Sequence, residues 1–75
     1  MFEKEKLASR IHHLRVEKQL NQDELGNVMG VTKGAVSKIE KAKRAASIEA
    51  LYALADYFDV SIDYLVGRSD DPRRH

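Results

Sequence analysis

The sequence has no cysteine, one proline in 75 residues and no long apolar run. Without cysteine there are no disulfides and no thiolate metal sites. Apolar runs of only a few residues leave nothing able to span a membrane. The opening residues, MFEKEKLASR, lack the apolar core of a signal peptide, so a cytoplasmic protein is the expectation. The one proline, Pro72, lies near the C-terminus, so no ring interrupts residues 1–71. Alternating β-branched residues are missing too, which removes the signature of half-buried strands. The long segments that remain have helical period. The length suffices for one small domain and not for two.

The net charge of +1 conceals an asymmetry. Residues 1–46 carry ten Lys/Arg against six Asp/Glu, and residues 47–75 carry three against six. Within 32–44, five cations (Lys33, Lys38, Lys41, Lys43, Arg44) accompany one acid, Glu40. A basic stripe on an otherwise balanced domain suits an anionic partner such as nucleic acid. A solvated lysine face is the plainer explanation of charge alone.

The pattern predicts an all-α bundle of five helices. The first covers about residues 4 to 18, with Leu7, Ile11 and Leu14 on one stripe. Asn21, with Glu24 three residues on, resembles a capping box and opens a helix over 22 to 29 that turns Leu25, Val28 and Met29 inward. Gly30 suits its C-terminal cap. Thr32 caps a third helix over 33 to 41. The short Gly30-Val31-Thr32 link forces a steep crossing, and Gly26 allows the backbones to approach there. Ser47 caps a fourth helix with Ile48, Leu51, Leu54, Ala55 and Phe58 inward. Ser61 caps a fifth, about 62 to 66, and Gly67 stops it. The domain is thus 1–67. Residues 68–75, RSDDPRRH, have no apolar anchor and are expected to form a mobile tail.

The third helix poses the functional question. Val36 and Ile39 share its inner face, while Gly34, Ser37, Lys38 and Lys41 lie opposite. Glycine inside a helix costs about 1 kcal/mol against alanine. Two helices joined by a tight glycine-containing turn form a helix-turn-helix, whose second helix enters the DNA major groove. That groove is about 12 Å wide and admits a helix with small or contact-making outer side chains. A bare Gly34 permits close approach. Lys33 and Lys38 can donate to guanine, and Ser37 can pair with several base edges.

Residues 7–67, about four-fifths of the chain, resemble the phage-repressor helix-turn-helix family (lambda Cro and repressor, or Xre-like). The resemblance rests on LNQDELGNVMGVTKGAVSKIEKAKR followed by SIEALYALADYFDVSIDYLVGR. It implies base-facing roles for Lys33, Gly34, Ser37 and Lys38. It implies phosphate contacts for Asn21, Gln22, Thr32, Lys41, Lys43 and Arg44, and a structural ion pair between Arg15 and Glu40. Ala42 departs from the family's usual glycine and Gly26 from its commoner alanine. Family members commonly dimerise through their last segment. Here Tyr57, Val60, Ile62, Tyr64 and Val66 are the expected self-complementary patch, with Tyr52 packed at the core edge.

The expected function is sequence-specific binding of double-stranded DNA by a homodimeric transcriptional regulator, acting as a repressor on a near-palindromic operator. An antitoxin, or a protein-interaction module on the same fold, is the alternative. No cofactor, metal or small-molecule ligand is expected. His12 and His13 are adjacent on a helix and point about 100° apart, which does not suit one metal. Ser61, His13 and Asp63 have the letters of a hydrolase triad without a nucleophile elbow, so no enzyme is expected.

Overall fold

The computed structural model describes residues 2–74. It contains five helices: α1 (Lys4–Glu17), α2 (Gln22–Met29), α3 (Lys33–Glu40), α4 (Ile48–Phe58) and α5 (Ile62–Leu65). No strand occurs among the described residues. Helix α2 packs against both α3 and α4, α1 against α3 and α5, and α4 against α5. Leu7, Ile11, Leu25, Val36, Leu54 and Leu65 are the largest fully buried side chains among the described residues.

Each boundary has a local cause. Asn21 and Glu24 complete a reciprocal capping box, with both bonds at 2.8 Å. Thr32, Ser47 and Ser61 each accept from the backbone N–H three residues on, which satisfies a donor the helix start would otherwise leave open. Gly30 closes α2 in the left-handed region at φ +73°. Asp59 does the same for α4 at φ +55°, a conformation Asp tolerates better than most residues.

The turn between α2 and α3 is unusually close. A Cβ on Gly26 would lie 2.6 Å from the backbone oxygen of Val31. Val31 N–H in turn donates to Gly26 O at 2.9 Å. Backbone therefore sits on backbone at this crossing, and the steep junction depends on a missing side chain. Ala42, where the resemblance expects glycine, takes the left-handed conformation that a glycine would, at φ +61°. The turn that closes α3 is thus kept, with strain of roughly 1–2 kcal/mol.

In α4, two side chains differ from the sequence expectation. The helical spacing turns Ile48 inward, yet it is 61% exposed at the first position of α4, while Ala50 and Leu51 of the same turn are buried. Tyr52, expected at the core edge, is 59% exposed, one turn further along the same face.

Residues 68–74 run back across the bundle on polar anchors. Arg10 Nη1 donates to Tyr64 O at 2.6 Å and Ser69 O at 2.7 Å, while Nη2 meets Asp70 at 2.7 Å. Ser61 N–H donates to Pro72 O, and Arg74 pairs with Asp56 at 2.9 Å. The expectation of a mobile tail rests on the lack of apolar residues; the structure shows hydrogen bonds in their place. His75 lies outside the described residues, as does Met1.

Candidate nucleic-acid interface

Helix α3 has two unlike sides. Ala35, Val36 and Ile39 are buried against the bundle. Lys33, Gly34 and Lys38 are exposed, and Ser37 is half-buried beside them. Lys41, Lys43 and Arg44 continue the basic run where the helix passes into the following loop, and Lys41 and Lys43 are exposed there. All five cations of the basic stripe are thus exposed. Among the described residues, no ion pair neutralises any of its five cations.

Gly34 contrasts with Gly26. A Cβ built on Gly34 would meet only Thr32 Oγ1, at 3.9 Å, an ordinary contact. Neither packing nor a left-handed backbone requires glycine there. The fold accepts the helix cost of this residue without any internal return, and only an external surface gains from its bareness.

The start of α2 is partly committed to holding the domain together. Asn21 Oδ1 is used in the cap, so only its NH2 remains to donate to a phosphate. Thr32 Oγ1 accepts from Ala35 N–H at 3.1 Å, which leaves its own O–H as the donor. Gln22 Nε2 lies 3.3 Å from Glu40 Oε1.

Glu40 ties α1, α2 and α3 together. Its side chain is 6% exposed. Arg15 Nε donates to Oε2 at 2.6 Å and Arg15 Nη2 to Oε1 at 3.0 Å, a forked pair. His12 Nδ1 lies 3.2 Å from Oε1. Arg15 Nη1 also holds Leu20 O at 2.9 Å, which anchors the link into α2. Burial works against the charge on Glu40. The hydrogen bonds from Arg15, His12 and Gln22, with the Arg15 charge, outweigh it and hold the carboxyl below the usual carboxylate range. The bond to Glu40 likewise raises Arg15 above its ordinary value against an opposing desolvation. Arg15 and Glu40, paired by the resemblance, thus form a salt bridge between the first and third helices. Sequence reasoning gives His12 no such role. Its signal is the i, i+3 spacing to Arg15, which puts both on one helix face.

Of the five residues expected to form a dimer patch, Val60 is buried and the other four are at least partly exposed. Val60 is 6% exposed and belongs to the core, so its side chain offers a partner nothing. Tyr64 is half-buried, with the Arg10 guanidinium 4.1 Å above its ring. Ile62 and Val66 are half-buried, and Tyr57 is exposed, edge-on to Phe58.

Two short helices crossing at a glycine, the second presenting a bare and basic face, define a helix-turn-helix domain. A helix-turn-helix family model matches residues 11–65, and the chain belongs to that family. The chain is 38% identical over 63 residues to the cryptic phage CTXphi transcriptional repressor RstR of Vibrio cholerae, covering 84% of this chain and 57% of that protein. It is 32% identical over 65 residues to the HTH-type transcriptional regulator YobD of Bacillus subtilis, covering 87% of this chain and 58% of the relative. It thus spans a little over half the length of these relatives. Among solved structures it is similar to the P22 c2 repressor in complex with a synthetic operator, with TM-score 0.77 and 30% identity over 84% of this chain and 96% of that one. The restriction-modification controller protein C.AhdI of Aeromonas hydrophila superposes with TM-score 0.72 at 27% identity, over 83% of this chain and 94% of that one. The phage-repressor-like fold expected from sequence is therefore the fold of the chain.

Proposed function

We propose that this chain binds double-stranded DNA sequence-specifically through α3 and represses transcription by occluding a promoter. The observation that carries the proposal is Gly34, a helix glycine with open space around it, set among Lys33, Ser37 and Lys38. In this reading Lys33, Ser37 and Lys38 meet base edges. Lys41, Lys43 and Arg44, with Asn21, Gln22 and Thr32, meet phosphates. The repressor name of the relative RstR, and the operator bound to the P22 c2 repressor, support it.

The active form is a homodimer on a near-palindromic operator. Tyr57, Ile62, Tyr64 and Val66 remain as the interface residues of this reading, without the buried Val60. A two-fold pair places its recognition helices about one DNA turn, roughly 34 Å, apart.

Selection from a random duplex pool, followed by affinity against salt, tests the proposal. Enrichment of a two-fold motif with half-sites one turn apart is the expected result. Binding without enrichment, lost steeply with salt, would mean only a basic surface.

A further inference from the structure

The chain beyond α5 is held in two ways. Arg68 and Ser69 still belong to the helix end, since both N–H groups donate to Asp63 O, at 2.8 and 3.2 Å. Residues 70–74 are held to the helices by polar anchors. Asp70 meets Arg10 Nη2 at 2.7 Å, and Pro72 O accepts from Ser61 N–H at 3.0 Å. Arg74 meets Asp56 at 2.9 Å and Asp59 at 3.7 Å.

The surface beside these anchors is apolar. Arg74 lines one hollow together with Tyr52 and Ile62. Pro72 and Arg73 line a second with Phe58 and Tyr64. Ile62 and Tyr64 are two of the four residues that the homodimer reading leaves to the interface. A second copy seated on them meets residues 72–74 first.

The anchors can yield. The Asp70 side chain is 90% exposed, and the Arg74–Asp56 pair is open to water on both sides. Ion pairs so exposed contribute little to stability. Arg10 does not depend on Asp70 for its place. Its Nη1 also holds Tyr64 O and Ser69 O, and its guanidinium lies over the Tyr64 ring. Residues 70–74 can therefore lift while α1 and α5 stay joined. The anchoring partners lie on α1, on α4 and in the link to α5, and none lies on α3.

We infer that residues 70–74 are an autoinhibitory strap: closed, it covers part of the surface through which two copies pair, and lifted, it frees that surface. The inference rests on the homodimer reading above and adds its regulation. Two half-sites on one duplex bring two copies together and so favour the lifted form.

Sedimentation equilibrium of the full chain, as wild type, Asp70→Ala, Arg74→Ala and Arg73→Ala, tests this. Asp70→Ala removes a negative charge and Arg74→Ala a positive one, and each removes an anchor. Both should self-associate about three- to tenfold more tightly than wild type, as a weakly held closed state ceases to compete. An effect of net charge alone would move the two in opposite directions. Arg73→Ala should match wild type, because Arg73 pairs with Asp71 inside the strap. All four should bind a duplex with one half-site equally, and the two opened variants should bind a duplex with both half-sites more tightly than wild type. Unchanged or weaker self-association in either Asp70→Ala or Arg74→Ala would overturn the inference, as would an equal gain in Arg73→Ala. Wild type and variants that all stay monomeric, on two half-sites as in free solution, would overturn the homodimer reading and the strap with it.

Discussion

Gly34 and Gly26 look alike in sequence and do opposite things. Gly26 is required by the fold, because a Cβ there would meet Val31 O at 2.6 Å. Gly34 meets nothing closer than 3.9 Å and has an ordinary helical backbone. Replacing Gly34 by alanine should therefore raise stability by about 0.5–1 kcal/mol, read as a higher thermal midpoint. A fall would mean that the fold itself needs this glycine. Glu40 gives a second prediction at this scale. Its folded-state carboxyl is held low, so the pair adds stability that is complete above the unfolded value of about 4.3. That stability is lost as pH falls through the lowered folded value. Glu40→Gln should cost about 2–3 kcal/mol near neutral pH, and the gap to wild type should close on acidification into that range. Chemical denaturation across pH would show it; a gap independent of pH would contradict the role given to the charge. The resemblance implies this pair. The added partners, His12 and Gln22, are not legible, because hydrogen-bond competition around one oxygen leaves no pattern in spacing or hydropathy.

The helices themselves are legible almost to the residue, because four of the five begin with a side-chain cap that acts locally. Asn21, Thr32, Ser47 and Ser61 all make the bonds that their positions suggest. The close crossing of α2 on α3 is legible too, from a three-residue link that opens with Gly30 and follows Gly26 by one helical turn. Gly26→Ala should force that crossing apart and cost about 1–3 kcal/mol by overpacking. Far less loss in a thermal or denaturant melt would show that the turn can yield. Exposure is harder to read. Ile48 has the spacing of a core residue but is exposed at the first position of α4. Val60 has the chemistry of an interface residue but packs inside, drawn in by the left-handed turn at Asp59 and its own N–H bond to Ala55 O. Residues 68–74 show the same limit from the other direction. Their anchors are Arg10, Ser61 and Asp56, polar groups far away in sequence, and apolar patterning does not register them.

At the scale of the whole molecule, charge is sorted along the chain. The N-terminal part that carries α2 and α3 holds the cation excess, and residues from 47 onward hold an excess of acids. This sorting turns a net charge of +1 into a cation-rich part of the chain, with acids in excess in the other part. Such a surface attracts any polyanion, so attraction alone does not establish recognition. The central claim is narrower: the outer face of α3 reads bases, and the loop beyond it holds phosphates. The most direct test compares affinity for the enriched duplex and for a scrambled duplex of equal length, in wild type, Lys38→Ala and Lys43→Ala. Lys38→Ala should lower the ratio of the two affinities by about tenfold, in line with loss of a base contact of about 1–3 kcal/mol. Lys43→Ala should weaken both duplexes alike and leave that ratio unchanged. Equal losses on both duplexes from both substitutions would contradict the division between base-reading helix and phosphate-holding loop.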